Sequence, residues 1–163
     1  LEANQDRIYR ICCCYIRDED ERQDVFQDVL LQIWKSMDKF VNRSAISTWI
    51  YRIAVNVCLG HLRLAQRRAR WFPQVAAGAA SQATAELVAS ENLQRLESLR
   101  RLYECIQRLP DLDKTLVSLF LEDASSEEIA EVVGISEINV RVKLHRIKKS
   151  LKQMWEKTGH GCE

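Results

Sequence analysis

Residues that interrupt helices are scarce in this chain, which has two prolines and five glycines among 163 residues. Apolar residues recur every three or four positions over long stretches, a spacing that gathers them on one side of an α-helix. With so few breakers, this pattern favours helices over strands along the whole chain. We therefore expect an all-α fold made of two small helical domains.

The first half of the chain predicts three helices. A short stripe covers 6–16, a long one covers 24–40, and a third begins near Ile46 and ends near Arg63 or Arg70. The expected buried positions are Ile8, Ile11, Cys12, Tyr15, Val25, Phe26, Val29, Leu30, Ile33, Trp34, Met37, Ile46, Trp49, Ile50, Ile53 and Val57. We assign 1–70 to this first domain.

The second half begins after an uncharged stretch at 71–85 that contains proline, glycine and small residues and shows no period, as expected of a flexible linker. The linker is assigned to 71–95 and the second domain to 96–158. Pro110 interrupts the helical pattern, and two further helices are predicted within 125–155. The expected buried positions are Leu96, Leu99, Leu102, Ile106, Leu109, Leu112, Leu116, Leu119, Phe120, Val140, Leu144, Ile147, Leu151 and Met154.

Charge is segregated along the chain although the net charge is only +1. Six acids and two arginines lie from Arg17 to Asp28, whereas no acid lies between Asp38 and Glu86, a stretch with seven Lys or Arg. A second acid-free stretch, between Glu137 and Glu156, holds six. Two basic stretches indicate two surfaces for a polyanion, and the acidic stretch indicates a different partner.

The second basic stretch coincides with a helix-turn-helix pattern. Ser125 is a good N-cap for a short helix, Gly134 suits a sharp turn that needs positive φ, and Ser136 can cap a second helix. That second helix is strongly basic. A basic helix after such a turn is typical of a helix that reads the major groove.

The first basic stretch contains Ser44-Ala-Ile-Ser-Thr-Trp-Ile-Tyr-Arg-Ile-Ala-Val-Asn56, followed by His61-Leu-Arg63. Aromatic residues interleaved with arginine suit unstacked bases and a single-stranded backbone. Trp49 could stack on a base, but its place in the stripe of Ile46 and Ile53 favours core packing.

These motifs, together with Asp24-Val-Phe-Gln-Asp-Val29 and Glu127-Glu-Ile-Ala-Glu-Val-Val-Gly-Ile-Ser136, closely resemble the extracytoplasmic-function sigma factors of bacterial RNA polymerase. The resemblance covers nearly the whole chain in order. It implies a non-enzymatic transcription-initiation factor that binds core polymerase, recognises a promoter and stabilises strand opening, with sigma domain two at 1–70 and sigma domain four at 96–158.

The resemblance also implies three sets of functional residues. Those expected to bind the clamp of the largest polymerase subunit are Asp24, Gln27, Asp28, Leu31 and Trp34. Those expected to bind the minus-ten element and an extruded base are Phe40, Arg43, Ser44, Thr48, Trp49, Arg52, Asn56 and Arg63. Those expected to read the minus-thirty-five element are Ser136, Asn139, Arg141, Lys143, His145, Arg146 and Lys149.

The resemblance further implies a contact with the polymerase flap and an anti-sigma partner, but no cofactor and no metal. The chain departs from the family at Asn139, where threonine is common, and at Asp123-Ala-Ser125, where Gly-Leu-Ser is usual. Because the chain starts inside the first expected helix and lacks an initial Met, we expect that N-terminal residues are missing.

Other readings of the sequence remain open. A stand-alone helix-turn-helix regulator would explain the C-terminal half but not the motif that starts at Asp24. A helical adaptor would have no salt-dependent affinity for DNA. The six cysteines are expected to be free thiols, since a zinc site would need His160, Cys162 and a distant ligand. Without an apolar run of roughly 18 residues or a signal-peptide pattern, the chain is expected to be cytoplasmic and not inserted in a membrane. The resemblance to sigma factors further implies that it is associated with the nucleoid. If its anti-sigma factor is bound to a membrane, that partner would tether the chain at the membrane.

Overall fold

The structure, a computed structural model, describes residues 2–41, 44–71 and 90–159 and is helical. The helices are α1 (Glu2–Tyr15), α2 (Glu19–Ser36), α3 (Ile46–Trp71), α4 (Ser90–Gln107), α5 (Asp111–Leu121), α6 (Ser126–Val133) and α7 (Glu137–Gly159), with a 3₁₀ turn at Met37–Lys39. No strand occurs in these ranges, which confirms the all-α prediction. Arg43 lies outside these ranges, and so do residues 72–89, which make up most of the predicted linker.

The starts of α2 and α5 follow from local chemistry. The Asp18 carboxylate accepts a hydrogen bond from the Glu21 N–H at 2.9 Å, and three acids in the first turn of α2 complement the positive end of the helix dipole. Pro110 lies immediately before α5. Because proline has no backbone N–H to donate within a helix, it ends the preceding helical pattern, as the sequence predicts.

Helices α1, α2 and α3 pack on one another, which confirms the predicted three-helix unit. The predicted α1 positions Ile8, Ile11, Cys12 and Tyr15 are all buried, as are the predicted Val25, Val29 and Ile33 of α2. In the second half, the predicted α7 positions Val140, Leu144 and Ile147 are buried against α5 and α6.

Seven positions expected in the core are instead exposed. Ile46 is the first residue of α3, Trp34 directly follows the buried Ile33 on the exposed side of α2, and Met37 lies just after α2 ends. Leu96 and Leu99 belong to a part of α4, 94–100, whose residues are all exposed. Leu112 and Phe120, on α5, are partly exposed. The helical period alone does not show which part of an apolar stripe a neighbouring helix covers.

The two predicted domains share one continuous core. Helix α1 packs on α4 and α5 as well as on α2 and α3, and α3 packs on α5 and α6. The Tyr15 hydroxyl donates to Thr115 Oγ1 at 2.9 Å in a buried contact, and Gln107 Nε2 donates to the Cys13 carbonyl oxygen at 2.7 Å. The sequence carried no sign of this packing.

Five of the six cysteines lie in the described residues, and all five are buried free thiols, as expected. Burial raises the pKa of Cys13 to about 11 and raises that of Cys14 further. Cys12 and Cys58 join α1 to α3, with their sulfur atoms 3.8 Å apart. These side chains act as small apolar residues. His160 and Cys162 lie outside the described residues.

Asp123, between α5 and α6, has φ of 58°, and no other non-glycine residue in the described ranges has positive φ. It occupies the position where the family usually has glycine. Both Asp123→Gly and Asp123→Ala remove the charge, but only glycine removes the Cβ that makes this conformation costly. We expect the glycine variant to exceed the alanine variant in unfolding free energy by about 1 kcal/mol, measured by urea denaturation. Equal stabilities would contradict a strained turn at this position.

Candidate polymerase and nucleic-acid interfaces

The exposed side of α2 carries five side chains that the sequence assigned to polymerase binding. Asp24, Gln27, Asp28, Leu31 and Trp34 follow helical spacing, and all are exposed. The side chain of Trp34 is 70 % exposed. We call this set the α2 face. The 3₁₀ turn extends its apolar part through the exposed Met37, which the sequence analysis placed in the core.

Large apolar side chains beside carboxylates are unusual on a surface that meets only water. A partner that supplies both an apolar pocket and positive charge would satisfy Trp34 and the two aspartates together. The geometry therefore fits a protein partner better than a nucleic acid, since Asp24 and Asp28 would repel phosphates.

The start of α3 carries a second set of predicted residues. Thr48, Arg52 and Asn56 are spaced four apart and so share one side of the helix. Asn56 and Arg52 are exposed, whereas Thr48 has an exposed fraction of 0 %. The covering element is α6. The hydroxyls of Ser47 and Thr48 each donate to Glu128 Oε1 at 3.4 Å. Arg52 Nη2 donates to the Glu131 carbonyl oxygen at 3.0 Å and lies 3.3 Å from Glu131 Oε1.

The aromatic residues near this set pack on each other. The rings of Phe40 and Trp49 have centroids 5.1 Å apart and are tilted by 48°. Trp49 is partly buried against the core, in keeping with its predicted packing role. Ser44 is partly buried, and Arg43 lies outside the described residues.

The last turns of α3 form an exposed basic segment. Arg63, Arg67, Arg68 and Arg70 are all exposed, and so is every other residue from 63 to 71. Trp71, at the end of the helix, is 79 % exposed. The sequence analysis did not single out Trp71, although its position beside four arginines was a usable signal.

Helices α6 and α7 form the predicted helix-turn-helix. The Glu128 N–H donates to Ser125 Oγ at 3.1 Å while the Ser125 N–H donates to Glu128 Oε2 at 2.8 Å, a complete capping box. Gly134 has φ of 78°, the predicted left-handed turn. The Asn139 N–H donates to Ser136 Oγ at 3.4 Å, so Ser136 caps α7 as expected.

The Glu128 carboxyl group is held in its charged form. The hydrogen bond from the Ser125 backbone lowers its pKa, burial opposes that effect, and the hydroxyls of Ser125, Thr48 and Ser47 lower it further. Glu128 therefore presents a carboxylate to α3 at neutral pH.

The outer side of α7 carries the predicted DNA-reading set. Six of its seven members are exposed and Lys143 is partly exposed; the exposed ones are Ser136, Asn139, Arg141, His145, Arg146 and Lys149. Arg141 forms an ion pair with Glu137 one turn before it. Lys148, on the neighbouring side, lies 3.9 Å from the centroid of the Phe120 ring, which holds its ammonium group near the helix pair.

The described residues contain no group of three or more His, Cys, Asp or Glu placed to hold a metal ion. Within the same ranges, no helix is long and apolar enough to cross a membrane.

Comparisons with known families match both halves of the chain. Residues 1–68 match the family model "Sigma-70 region 2", and residues 99–151 match "Sigma-70, region 4". The chain is 33 % identical over 135 residues to the ECF RNA polymerase sigma-E factor of Escherichia coli K12, covering 78 % of this chain and 70 % of that one. It is 26 % identical over 159 residues to the ECF RNA polymerase sigma factor SigW of Bacillus subtilis, covering 94 % and 85 %.

Two solved structures share the fold. One is the sigma factor RpoE in complex with the anti-sigma factor NepR from Bartonella quintana, with a TM-score of 0.77 and 16 % identity over 96 % of this chain and 94 % of that one. The other is CnrH in complex with the cytosolic domain of CnrY, with a TM-score of 0.63 and 16 % identity over 96 % and 84 %.

Proposed function

This chain belongs to the ECF sigma factors of RNA polymerase, and from that premise we propose how its surfaces divide the work of transcription initiation. As a sigma factor it binds core polymerase, recognises promoter DNA and stabilises strand opening. Its contribution is binding and positioning, while the polymerase supplies the chemistry. The proposed units are 1–70 for the clamp and the minus-ten element, 71–95 for the linker, and 96–158 for the minus-thirty-five element.

The α2 face is the proposed polymerase contact. The observation that carries this assignment is the exposure of Trp34 beside Asp24 and Asp28. A regulator that acts on duplex DNA alone has no use for an exposed tryptophan among carboxylates. The clamp of the largest polymerase subunit would supply a basic, partly apolar surface to Asp24, Asp28 and Trp34. The flap would contact the second domain.

The start of α3 is the proposed reader of the minus-ten element. Asn56 is exposed, and its amide can donate to and accept from the edge of an extruded base. Extruding a base costs a few kcal/mol, which contacts to the strand must offset. The exposed arginines from Arg63 onward would neutralise phosphates.

The outer side of α7 is the proposed reader of the minus-thirty-five element. Its exposed basic residues can enter the major groove while its buried side stays on α5 and α6. Arg141 stands in the first turns of this helix, where recognition helices contact base edges.

We further propose an anti-sigma partner and a cytoplasmic, nucleoid-associated location. The sigma factor RpoE, which shares this fold, was solved in complex with the anti-sigma factor NepR, and CnrH was solved in complex with the cytosolic domain of CnrY. Work on promoter DNA requires the chain to be where the nucleoid is. A membrane-bound anti-sigma factor would tether it at the membrane until release.

The experiment that tests the function is a reconstitution. The protein is mixed with bacterial core polymerase and a promoter library, and the run-off transcripts are sequenced. Transcripts that share paired upstream and start-proximal motifs are the expected result. No transcription, together with tight polymerase-free binding to duplex sites, would favour a stand-alone regulator instead.

Trp34→Ala tests the α2 face. We expect its affinity for core polymerase to fall by about 2 kcal/mol, roughly thirty-fold, because an exposed aromatic anchor is removed. Trp71→Ala, which removes an equally exposed tryptophan outside the α2 face, is the control. Affinity is measured by fluorescence anisotropy with labelled protein, and equal losses in the two variants would contradict the assignment.

Asn56→Ala tests strand capture. We expect promoter opening, measured by permanganate reactivity of unpaired thymines, to weaken by about 1–2 kcal/mol because a base-edge hydrogen bond is lost. Binding to core polymerase should stay unchanged. Gln66→Ala, on the same helix, is the control. Equal losses of promoter opening and of polymerase binding in the Asn56 variant would contradict its assignment to strand capture.

Arg141→Ala tests upstream recognition. Discrimination among minus-thirty-five sequences should relax by about 1–3 kcal/mol, measured by holoenzyme binding to a randomised upstream element. Lys157→Ala, on the same helix beyond the reading set, should leave discrimination intact. An unchanged sequence preference in the Arg141 variant would count against its role.

A further inference from the structure

We propose that this chain masks its own minus-ten reader: the acidic side of α6 covers Thr48 and pairs with Arg52, and it must withdraw before promoter DNA can contact Thr48 and replace Glu131 as the partner of Arg52. The inference rests on the proposed role of α3, and it concerns the regulation of that site. The contacts between Glu128 and Glu131 of α6 and Ser47, Thr48 and Arg52 of α3 are called the latch.

The latch places carboxylates where a nucleic acid would place its own acceptors. Arg52 points its guanidinium at two oxygens of Glu131, and Ser47 and Thr48 point their hydroxyls at Glu128. Phosphate and base oxygens would seek the same donors. The acidic side of α6 therefore competes directly with DNA for these groups.

Masking by the latch is steric as well as electrostatic. The two hydroxyl contacts are long, at 3.4 Å, and the Arg52–Glu131 pair is about half exposed, so neither interaction is strong by itself. Thr48, however, is completely covered. No strand can contact its side chain while α6 stays in place.

A second set of contacts holds α6 near α3 from the far side of the core. Arg10 Nε and Nη2 donate to the two carboxylate oxygens of Glu122 at 2.8 and 2.7 Å, and the Glu122 side chain is only 2 % exposed. Glu122 follows α5 and lies four residues before α6 begins. This bidentate pair, called the anchor, fixes the base of the helix-turn-helix to α1.

Neither the latch acids nor the anchor acid belongs to the proposed DNA-reading sets, so they can be changed without removing a DNA contact. Glutamine is the substitution of choice at Glu128, because a glutamine at this position still completes a capping box. Glu127, exposed on the same helix, provides a control with the same loss of one charge.

The test measures the accessibility of position 48 without DNA. A cysteine is placed there by Thr48→Cys in a Cys162→Ser chain, where the five described native thiols are buried. A maleimide is added to the intact protein, and labelling at each cysteine is followed by peptide mass spectrometry. The native Cys12 and Cys58 report global unfolding, so faster labelling at position 48 measures local withdrawal of α6.

We expect slow labelling at position 48 in the parent chain. Glu131→Gln should accelerate it about three-fold and Glu128→Gln with Glu131→Gln about ten-fold, while Glu127→Gln leaves it unchanged and Cys12 and Cys58 stay protected. Glu122→Gln should give a larger acceleration by releasing the anchor. If that variant fails to fold, the latch variants still decide the question.

Two results would overturn the proposal: rapid labelling of position 48 in the parent, or equal rates in the Glu131→Gln and Glu127→Gln chains. Its failure is separate from failure of the proposed function. Promoter-specific transcription with rapid labelling would leave a sigma factor that does not mask itself. Slow labelling that depends on the latch, together with no transcription, would support the contact between α6 and α3 but contradict the proposed function.

The consequence for DNA is measured with a fluorescein-labelled dT20 strand and the chain with native Thr48. Opening the latch with Glu131→Gln should tighten binding by several-fold relative to Glu127→Gln, which removes the same single charge from the same helix. Accelerated labelling without tighter binding would contradict masking, because α6 would then withdraw without uncovering a nucleic-acid surface.

Discussion

Helix α1 is the element on which the rest of the packing depends, because its C-terminal half is buried on every side. All residues from 11 to 16 are buried, with α2 and α3 on one side and α4 and α5 on the other. A helix enclosed in this way needs small apolar side chains, and Cys12, Cys13 and Cys14 supply them. The cysteine run is thus a packing device that lets both halves share one core.

This arrangement couples the two elements that we propose read DNA. The anchor between Arg10 and Glu122 and the buried Tyr15–Thr115 hydrogen bond join the first three helices to the base of the helix-turn-helix. The latch is then a local consequence, since fixing α5 on α1 brings the acidic side of α6 to α3. Removing Arg10 would leave the buried Glu122 carboxylate without compensation, whereas the exposed Arg52–Glu131 pair exchanges readily with water.

Helical periodicity predicted most of the fold because it reports the side that each helix buries. It predicted the buried sides of α1 and α7, while the type of residue at Ser125 predicted the N-cap of α6. It placed Trp34 and Leu96 in the core as well, although both are exposed, because a period cannot tell which part of an apolar stripe a neighbouring helix covers. The candidate site residues came from the family resemblance. Their exposure on α2 and α7 is what surfaces that bind a partner require.

The sequence by itself determined the helices, their caps, the left-handed turn at Gly134 and the segregation of charge, since each depends on residues close together in the chain. Only the tertiary structure decided that Thr48 is covered while Asn56, two turns further along the same side of α3, stays exposed. That difference depends on α6, about 80 residues away in the sequence. Local spacing contains no information about such a contact, because it arises from the shared core that only folding creates.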